Sequence, residues 1–286
     1  MNSSQYWPDF NDLWDYADPA GTETKFGERL VLAKESGDLT YYLQLLTQVA
    51  RTHSLRGNFE QAHNILDEVE TYMAGDDIVE VRYLLERGRT LNSSGKPEEA
   101  VPLFQRAAQI SEEIGADYYW VDALHMLGIA APKAERMAWH LAALEATRNS
   151  TDERARNWTG SLLNNIGWAY FAEQNYQQAL KTFEETEIFY KDEAKDMEFF
   201  RIARWSVAKT LRMLRRVEAA LVILRELEAA GKRDGFTEEE IAESLFALGR
   251  PAEAKPYFKA AYDKLSEISW VAKDTGRIER LDKLSS

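Results

Sequence analysis

The chain of 286 residues contains no cysteine, which excludes a disulfide scaffold, a thiol nucleophile and any zinc site built on thiolates. Glycine and proline are scarce, at 15 and 7 residues, and because both interrupt helices their scarcity favours a helical chain. The sequence has no run of 18 apolar residues that could span a membrane. Its net charge of −13 argues against nucleic acid as a partner.

The first residues, MNSSQYWPDF, also lack the basic and apolar regions of a secretory signal peptide, so a cytoplasmic location is the default expectation. Hydrophobic residues make up 45% of the chain, which is enough to bury a large core. No low-complexity tract or Gly/Ser-rich linker divides the sequence. These features are typical of a folded chain without obvious interdomain linkers.

Six times along the chain, a small residue is followed by an alanine at nearly the same distance. Two antiparallel helices can pack closely where side chains are small, so each pair predicts one helical hairpin. Five pairs are 12 residues apart and one is 10 residues apart. The pairs are Ala50 and Ala62, Gly88 and Ala100, Gly128 and Ala138, Gly167 and Ala179, Ala208 and Ala220, and Ala242 and Ala254.

The unit that begins at Gly160 has the clearest pattern of large and small residues: Leu163, Ile166, Gly167, Tyr170, Tyr176, Ala179 and Phe183. In this pattern the chain resembles the tetratricopeptide repeat (TPR) family. The resemblance implies an all-α, right-handed α-solenoid of about six TPR-like helical hairpins with N- and C-terminal capping helices. Residues 1–42 are expected to form the first cap, residues 43–265 the six repeats, and residues 266–286 the last cap, within a single domain.

The length of the repeats leaves one structural alternative. The alanines of successive second helices are 38, 38, 41, 41 and 34 residues apart, whereas the TPR period is about 34 and that of HEAT or armadillo repeats is about 40–47. The nearly constant hairpin spacing favours the TPR interpretation. It places the extra residues between hairpins, in longer helices.

Local signals add detail to this architecture. Pro97 and Pro251 stand where second helices should begin, and Pro132 should end a first helix early. Thr237 and Glu240 have the spacing of a capping box. The caps are expected to bury Phe10, Leu13, Trp14, Phe26, Leu30 and either Leu32 or Ala33 at one end, and Trp270, Ile278, Leu281 and Leu284 at the other.

Nothing in the sequence indicates catalysis. The four histidines, His53, His63, His125 and His140, lack the spacing of a metal site, and no phosphate-binding loop or nucleophile motif is present. The acidic run from Glu238 to Glu240 is explained by a helix start, where carboxylates meet the positive end of the dipole. We therefore expect a non-enzymatic protein without a cofactor or a metal.

In the TPR family, the first helix of each hairpin lines a concave groove in which ligands bind. The corresponding positions here carry four cations and no acid in the first five repeats, and this predicts an acidic or C-terminal peptide as ligand. The alternative is that Arg89 pairs with Glu86, three residues away on the same helix, and that the other cations are merely solvated. The candidate groove residues are Arg51, Arg89, His125, Asn164, Asn165, Trp168, Trp205, Lys209 and Arg212.

The function implied by the resemblance is a non-enzymatic protein–protein interaction adaptor that binds a peptide or protein segment in the groove. A ligand-responsive sensor, whose superhelix changes on binding a peptide or small molecule, is one alternative. A structural self-association module is another, and it leaves a homo-oligomer open. One repeat fold hosts many activities, so the sequence does not decide among them.

Overall fold

The computed structural model describes residues 10–231 and 233–285, except for the side chain of Asn11. Within these two ranges the chain forms helices and no strands, and the expected all-α helical-repeat fold is confirmed. None of the helices in this described part is long and apolar enough to cross a membrane.

The helices form two compact units, with the boundary between Trp158 and Thr159. Unit 1 contains a 3-10 turn (Phe10–Leu13), α1 (Pro19–Ser36), α2 (Leu39–Leu55), α3 (Phe59–Tyr72), α4 (Asp77–Ser93), α5 (Pro97–Glu113), α6 (Asp117–Ala130), α7 (Lys133–Asn149) and α8 (Glu153–Arg156). Unit 2 contains α9 (Thr159–Ala172), α10 (Tyr176–Ile188), a π-helical turn (Phe189–Glu193), α11 (Met197–Met213), α12 (Val217–Ala229), α13 (Phe236–Ala247), α14 (Pro251–Leu265) and α15 (Thr275–Ser285). The expectation that all repeats act as one domain stays a prediction.

Consecutive helices pack as the six expected hairpins: α2 with α3, α4 with α5 and α6 with α7 in unit 1, and α9 with α10, α11 with α12 and α13 with α14 in unit 2. Helix α1 packs on α2, and α15 packs on α14. Pro97 and Pro251 begin second helices, as predicted. The extra length of the repeats lies in helices of up to 17 residues, in α8 and in the π-helical turn.

Five of these hairpin turns contain a residue with a left-handed backbone. Gly57, Gly95 and Gly249 supply it in three hairpins, and glycine adopts a positive φ without strain. In unit 2, Gln174 and Arg215 take the same place with φ values of 59° and 63°. The turn geometry is therefore retained even where the sequence offers a less favourable residue.

Glycines on two first helices allow aromatic rings from the second helices to approach the backbone. A Cβ atom on Gly88 would lie 2.5 Å from the ring of Phe104, and one on Gly167 would lie 2.5 Å from the ring of Phe183. Both phenylalanines are fully buried, and each follows the alanine of its hairpin by one helical turn. The small residues predicted from the sequence thus accommodate large buried rings.

The third hairpin departs from the predicted pairing of Gly128 with Ala138. Ala138 is exposed on α7, and the imidazole of His140 lies against Gly128 instead. His140 follows Gly128 by 12 residues, so the common spacing is kept, but a ring replaces the alanine. The predicted pairing is wrong because it required a small residue on both helices. Helix α6 does end early, at Ala130, as Pro132 predicts.

The N-terminal cap is built largely as expected. Phe10, Phe26 and Ala33 are buried in one cluster with Tyr41 of α2. Of the two alternatives from the sequence, Ala33 is buried and Leu32 is exposed. The side of α1 that faces α2 is therefore fixed by Phe26 and Ala33.

At the C-terminal end, α15 covers the core of unit 2 through buried Leu281 and partly buried Ile278. Trp270, which precedes α15, is 64% exposed, so its predicted burial in the cap is wrong. Its indole stacks on the ring of Phe236 at a centroid distance of 5.8 Å. Val271 enters the core in its place.

Helix α13 begins earlier than the predicted capping box. Its first residue is Phe236, and the backbone N–H of Gly235 donates a hydrogen bond of 2.8 Å to the carboxylate of Glu238. Thr237 lies buried inside the helix. The box proposed for Thr237 and Glu240 is therefore wrong, since Gly235 and Glu238 have the same three-residue spacing and make the contact.

Two glycine-to-alanine substitutions should have opposite effects on stability. In Gly167→Ala the new Cβ atom would meet the ring of Phe183, and such overpacking costs about 1–3 kcal/mol. Gly27 lies inside α1 with no atom within 4 Å of a Cβ atom, so Gly27→Ala should stabilise the protein by up to about 1 kcal/mol through helix propensity. Urea unfolding followed by circular dichroism measures both, and equal stabilisation would show that the ring shifts without cost.

Candidate functional site

All nine candidate groove residues lie on the first helices of hairpins, as predicted. Unit 1 holds Arg51 on α2, Arg89 on α4 and His125 on α6, and unit 2 holds Asn164, Asn165 and Trp168 on α9 and Trp205, Lys209 and Arg212 on α11. The candidates therefore form two separate sets, one in each unit.

The arginines of unit 1 belong to a chain of ion pairs that links three first helices. The guanidinium of Arg51 lies 3.2 Å from the carboxylate of Glu86 on α4, and Arg89 pairs with the same oxygen at 2.8 Å. Arg89 also donates to Asp122 on α6 at 2.6 Å. Both carboxylates are buried. Burial alone would lower the pKa of Arg89, but the charges of Asp122 and Glu86 raise it, so the guanidinium stays ionised.

His125 makes no ion pair in that chain and lies against aromatic rings. Its ring centroid is 4.9 Å from that of Trp158 and 6.1 Å from that of His140. Burial lowers the pKa of His125 to about 4, so the imidazole is neutral at pH 7. Its Nδ1 atom is buried and has no hydrogen-bond partner among the described residues. At neutral pH, His125 therefore contributes a polar ring and no positive charge.

In unit 2, the two predicted tryptophans pack against each other. The ring centroids of Trp168 and Trp205 are 6.0 Å apart. The centroid of Trp168 also lies 5.2 Å from that of Phe171 and 5.1 Å from that of Phe183. The indole N–H of Trp205 donates to the carbonyl oxygen of Phe236 at 3.1 Å. Both indoles are half-buried against the core of unit 2, so each presents only part of its ring to a ligand.

The cations of unit 2 are paired with one carboxylate. Lys209 donates to Glu240 on α13 at 2.6 Å, and Arg212 donates to it at 2.8 Å. The side chain of Glu240 is 1% exposed. Burial raises the pKa of Glu240, but the two cations lower it more, so the pKa lies below its ordinary value.

Glu240 is one of three consecutive buried carboxylates at the start of α13. Glu238 pairs with Lys264 on α14, and Glu239 accepts a hydrogen bond of 2.9 Å from Arg277 on α15. The acidic run does stand at a helix start, as the sequence analysis expects. Each carboxylate also pairs with a different helix, so the run connects α13 to α11, α14 and α15.

The two asparagines of α9 differ from the charged candidates because their carboxamides are not used internally. Asn164 and Asn165 are half-buried. Across residues 10–231 and 233–285, neither side chain has a hydrogen-bond partner. Ile202 on α11, one turn before Trp205, is 36% exposed and adds an apolar side chain to this unit. The first-helix face of unit 2, defined here as Asn164, Asn165, Trp168, Ile202 and Trp205, therefore offers free amides and apolar rings.

The predicted stripe of free cations is thus not what the structure contains. Its arginines and lysine are internally paired, as the alternative interpretation proposed for Arg89. The carboxylates that pair with them across repeats, Glu86, Asp122 and Glu240, lie on the next first helix, about one repeat later in the sequence. A search for opposite charges one repeat apart could have identified these pairs, whereas a search of the groove positions alone missed them.

The remaining histidines are also engaged in local contacts. His53 lies 3.2 Å from Glu23, and Arg87 donates to the ring of His63 at 2.8 Å. In the described part of the chain, no group of three or more histidine, aspartate or glutamate side chains is arranged to hold a metal ion.

Comparison with known proteins agrees with this architecture. The family model for the tetratricopeptide repeat matches residues 160–185, which lie in α9 and α10. A search of curated protein sequences finds no significant match.

Solved structures resemble the chain over most of its length. A signal-transduction ATPase from Pyrococcus horikoshii with a tetratricopeptide repeat sensor, PH0952, matches with a TM-score of 0.70 and 17% identity, and the match covers 94% of this chain and 44% of that one. The apo form of RapI matches with a TM-score of 0.70 and 14% identity, covering 90% and 76%. NprR in complex with its cognate peptide NprX matches with a TM-score of 0.51 and 14% identity, covering 93% and 82%.

These findings confirm the resemblance to the tetratricopeptide repeat family and its fold. At such low identities the structural matches concern the fold alone. The chain spans less than half the length of the P. horikoshii protein, so the activity of that whole protein is no guide to this one.

Removing the carboxylate of Glu240 should destabilise the protein strongly. In Glu240→Ala, Lys209 and Arg212 lose their buried partner, and breaking a buried ion pair typically costs about 3–5 kcal/mol. Glu253→Ala is the matched control, because Glu253 on α14 forms an exposed pair with Arg250, which precedes that helix. Urea unfolding at neutral pH should show a large loss for the first variant and little change for the second. Equal losses of unfolding free energy in the two variants would show that burial does not make the ion pairs of Glu240 more stabilising than an exposed pair.

Glu240 should also make stability depend on pH. Because its pKa in the folded protein is below the ordinary value of 4.5, folding favours the ionised form. The stabilisation that ionised Glu240 gives the protein is complete above pH 4.5. It is lost as the pH falls through the pKa that Glu240 has in the folded protein. The difference in unfolding free energy between wild type and Glu240→Ala should therefore narrow as the pH is lowered from neutral to below the ordinary value of 4.5. A constant difference over this range would contradict the assignment.

Proposed function

We propose that this tetratricopeptide repeat protein is a non-enzymatic, cytoplasmic adaptor that binds an extended peptide or protein segment. The first-helix face of unit 2 is the proposed main contact surface. The observation that carries the proposal is the position of the free carboxamides of Asn164 and Asn165 on the same helix as Trp168, whose ring contacts Trp205.

The chemistry of this face suits an extended segment. A carboxamide can donate to a main-chain carbonyl and accept from a main-chain N–H, so two neighbouring asparagines can hold a peptide backbone. The half-buried indoles and Ile202 offer apolar surface to side chains of the segment. Tryptophan is enriched among the residues that contribute most to binding energy at interfaces. Main-chain and apolar contacts are therefore proposed to supply most of the affinity.

The charged candidates have a secondary role in this proposal. Arg51, Arg89, Lys209 and Arg212 are already paired, so an acidic ligand must share them with buried carboxylates. Lys209 and Arg212 keep about a fifth of their side-chain surface exposed, at 22% and 19%. An acidic or C-terminal group of the segment can reach these cations from that side. His125 is half-buried among rings and neutral at pH 7, so it is proposed to contribute no charge to binding.

The comparisons support a peptide or protein partner in general. One structural neighbour, NprR, is solved with a cognate peptide, and another carries its repeats as a sensor. The resemblance to the P. horikoshii protein, whose repeats form a sensor, favours one alternative function. In this alternative the repeats change conformation when a ligand binds. Amide hydrogen exchange with and without the ligand separates the two: protection confined to α9 and α11 indicates an adaptor, and protection that spreads to distant hairpins indicates a sensor.

The test of the binding face uses side chains that are not part of the packed core. The partner is first captured from host cells with the wild-type protein and identified. Asn164→Ala combined with Asn165→Ala should then weaken binding of that partner about tenfold or more, because each lost hydrogen bond contributes about 0.5–1.5 kcal/mol. Isothermal titration calorimetry measures the change.

The control is Lys181→Glu, which changes an exposed residue on the second helix of the same hairpin. It should leave the affinity unchanged. If the double asparagine variant binds as well as wild type while Lys181→Glu binds poorly, the functional surface lies on the second helices. If all three bind equally, neither face is the contact surface, and self-association measured by analytical ultracentrifugation becomes the leading alternative.

A further inference from the structure

Residues 10–16, here called the N-terminal segment, lie across the first helices of unit 1. The ring of Phe10 stacks on Tyr41 of α2 with centroids 5.1 Å apart. The guanidinium carbon of Arg82, on α4, lies 4.3 Å from the centroid of the same ring. Phe10 therefore contacts the first helices of two successive hairpins.

A second aromatic contact lies one helical turn further along the segment. The indole N–H of Trp14 donates to the side-chain oxygen of Gln48 on α2 at 3.0 Å. The guanidinium carbon of Arg51 lies 5.6 Å from the Trp14 ring and 5.5 Å from the Tyr16 ring. These are distances at which a cation is attracted to an aromatic face. Arg51 is one of the residues that the sequence assigns to ligand binding.

Of the residues beside the segment, Arg51 is a predicted groove position, and Gln48, Arg82 and Glu86 lie near such positions on the same helices. Gln48 and Arg51 are three residues apart on α2, and Arg82 and Glu86 are four residues apart on α4, so each pair lies on one side of its helix. The segment thus covers in unit 1 the kind of surface that is proposed to bind ligands in unit 2.

Some polar groups on α2 and α4, the helices that the segment contacts, are incompletely satisfied. The Nε atom of Arg51, the Nη1 atom of Arg82 and one carboxylate oxygen of Glu86 are buried and have no hydrogen-bond partner within the described residues. The segment offers the two arginines aromatic faces, while its Asp12 is exposed. A carboxylate brought within reach of either arginine would form a charge-assisted hydrogen bond that the segment does not make.

The segment is held at both ends and is more exposed between them. At its start, Phe10 is buried. At its C-terminal end, the N–H of Asp15 donates to the hydroxyl of Thr22 on α1 at 2.9 Å. Tyr16 is 59% exposed, and Leu13 and Trp14 are only partly buried. Displacing the segment therefore requires that Phe10 leave the buried cluster that it shares with Phe26 and Tyr41.

We propose that the N-terminal segment is the internal occupant of a second binding site, on the first helices α2 and α4 of unit 1. The external ligand of this site is an acidic segment with two aromatic residues about one helical turn apart, the pattern that Phe10, Asp12 and Trp14 display. It binds by displacing the internal occupant. This inference rests on the proposed function in one respect, since both assume that first helices bind ligands. It concerns unit 1, whereas the proposed function concerns unit 2.

The test uses the chain's own sequence as the probe. A fluorescent synthetic peptide of residues 10–18, FNDLWDYAD, with both ends blocked, is titrated with the full-length protein and with a full-length variant carrying Phe10→Ser and Trp14→Ser. The variant should bind the peptide more than about tenfold more tightly than wild type, because a tethered segment competes at roughly millimolar effective concentration. Adding Arg82→Met to the variant should weaken binding again.

The control peptide has serine in place of both its phenylalanine and its tryptophan, and it should bind neither protein. Equal binding of the native peptide to wild type and variant would overturn the proposal, and so would a folded variant that binds no peptide. Circular dichroism and the melting temperature establish whether the variant is folded.

A second measurement keeps the contacts of Phe10 and Trp14 and removes only that of Tyr16. The chain has no cysteine, so Tyr16→Cys provides a unique site for a spin label in the N-terminal segment. Millimolar unlabelled peptide should increase the mobility of the label as the segment is displaced, and unchanged mobility would overturn the proposal. Neither experiment involves Asn164 or Asn165, so failure here is distinct from failure of the proposed site in unit 2.

Discussion

Carboxylates buried between cations of neighbouring hairpins are the interaction on which much of this structure depends. Glu240 is nearly inaccessible, and its charge is balanced by Lys209 and Arg212 one repeat earlier. Glu86 has the same relation to Arg51 in unit 1. A buried charge without its partner is far more costly than an exposed one. These pairs therefore restrict the arrangement of successive first helices, in addition to the apolar contacts inside each hairpin.

This constraint also determines which side chains are available for recognition. Cations that balance buried acids cannot act as free positive charges toward a ligand, so an overall charge of −13 is not offset by a strongly basic surface on these helices. What the first helices offer instead are amides and rings. In unit 2 these are Asn164, Asn165 and the two indoles, and in unit 1 the arginine faces are covered by Phe10 and Trp14. The two units thus share an architecture but differ in the chemistry they expose.

Much of the fold could be predicted from the sequence because it depends on local periodicity. The six hairpins, the caps and the start of second helices at Pro97 and Pro251 follow from spacing and from residues that interrupt helices. The errors have physical causes. His140 was missed because a ring can occupy a position normally filled by alanine when a glycine faces it. The helix positions of all nine candidate residues were predicted correctly, but the ion pairs between repeats were not, since these pairs join residues 28 to 35 apart in the chain.

The contact between Gly128 and His140 has a consequence for how this protein can vary. Any side chain at position 128 would overlap the imidazole, so a substitution there requires a smaller residue at position 140. Conversely, alanine at position 140 would leave an empty space that a larger residue at position 128 could fill. Among relatives, the two positions should therefore change together. A correlated pair separated by 12 residues would mark this hairpin, whereas in the hairpins of Gly88 and Gly167 the residue coupled to the glycine is the phenylalanine 16 positions later.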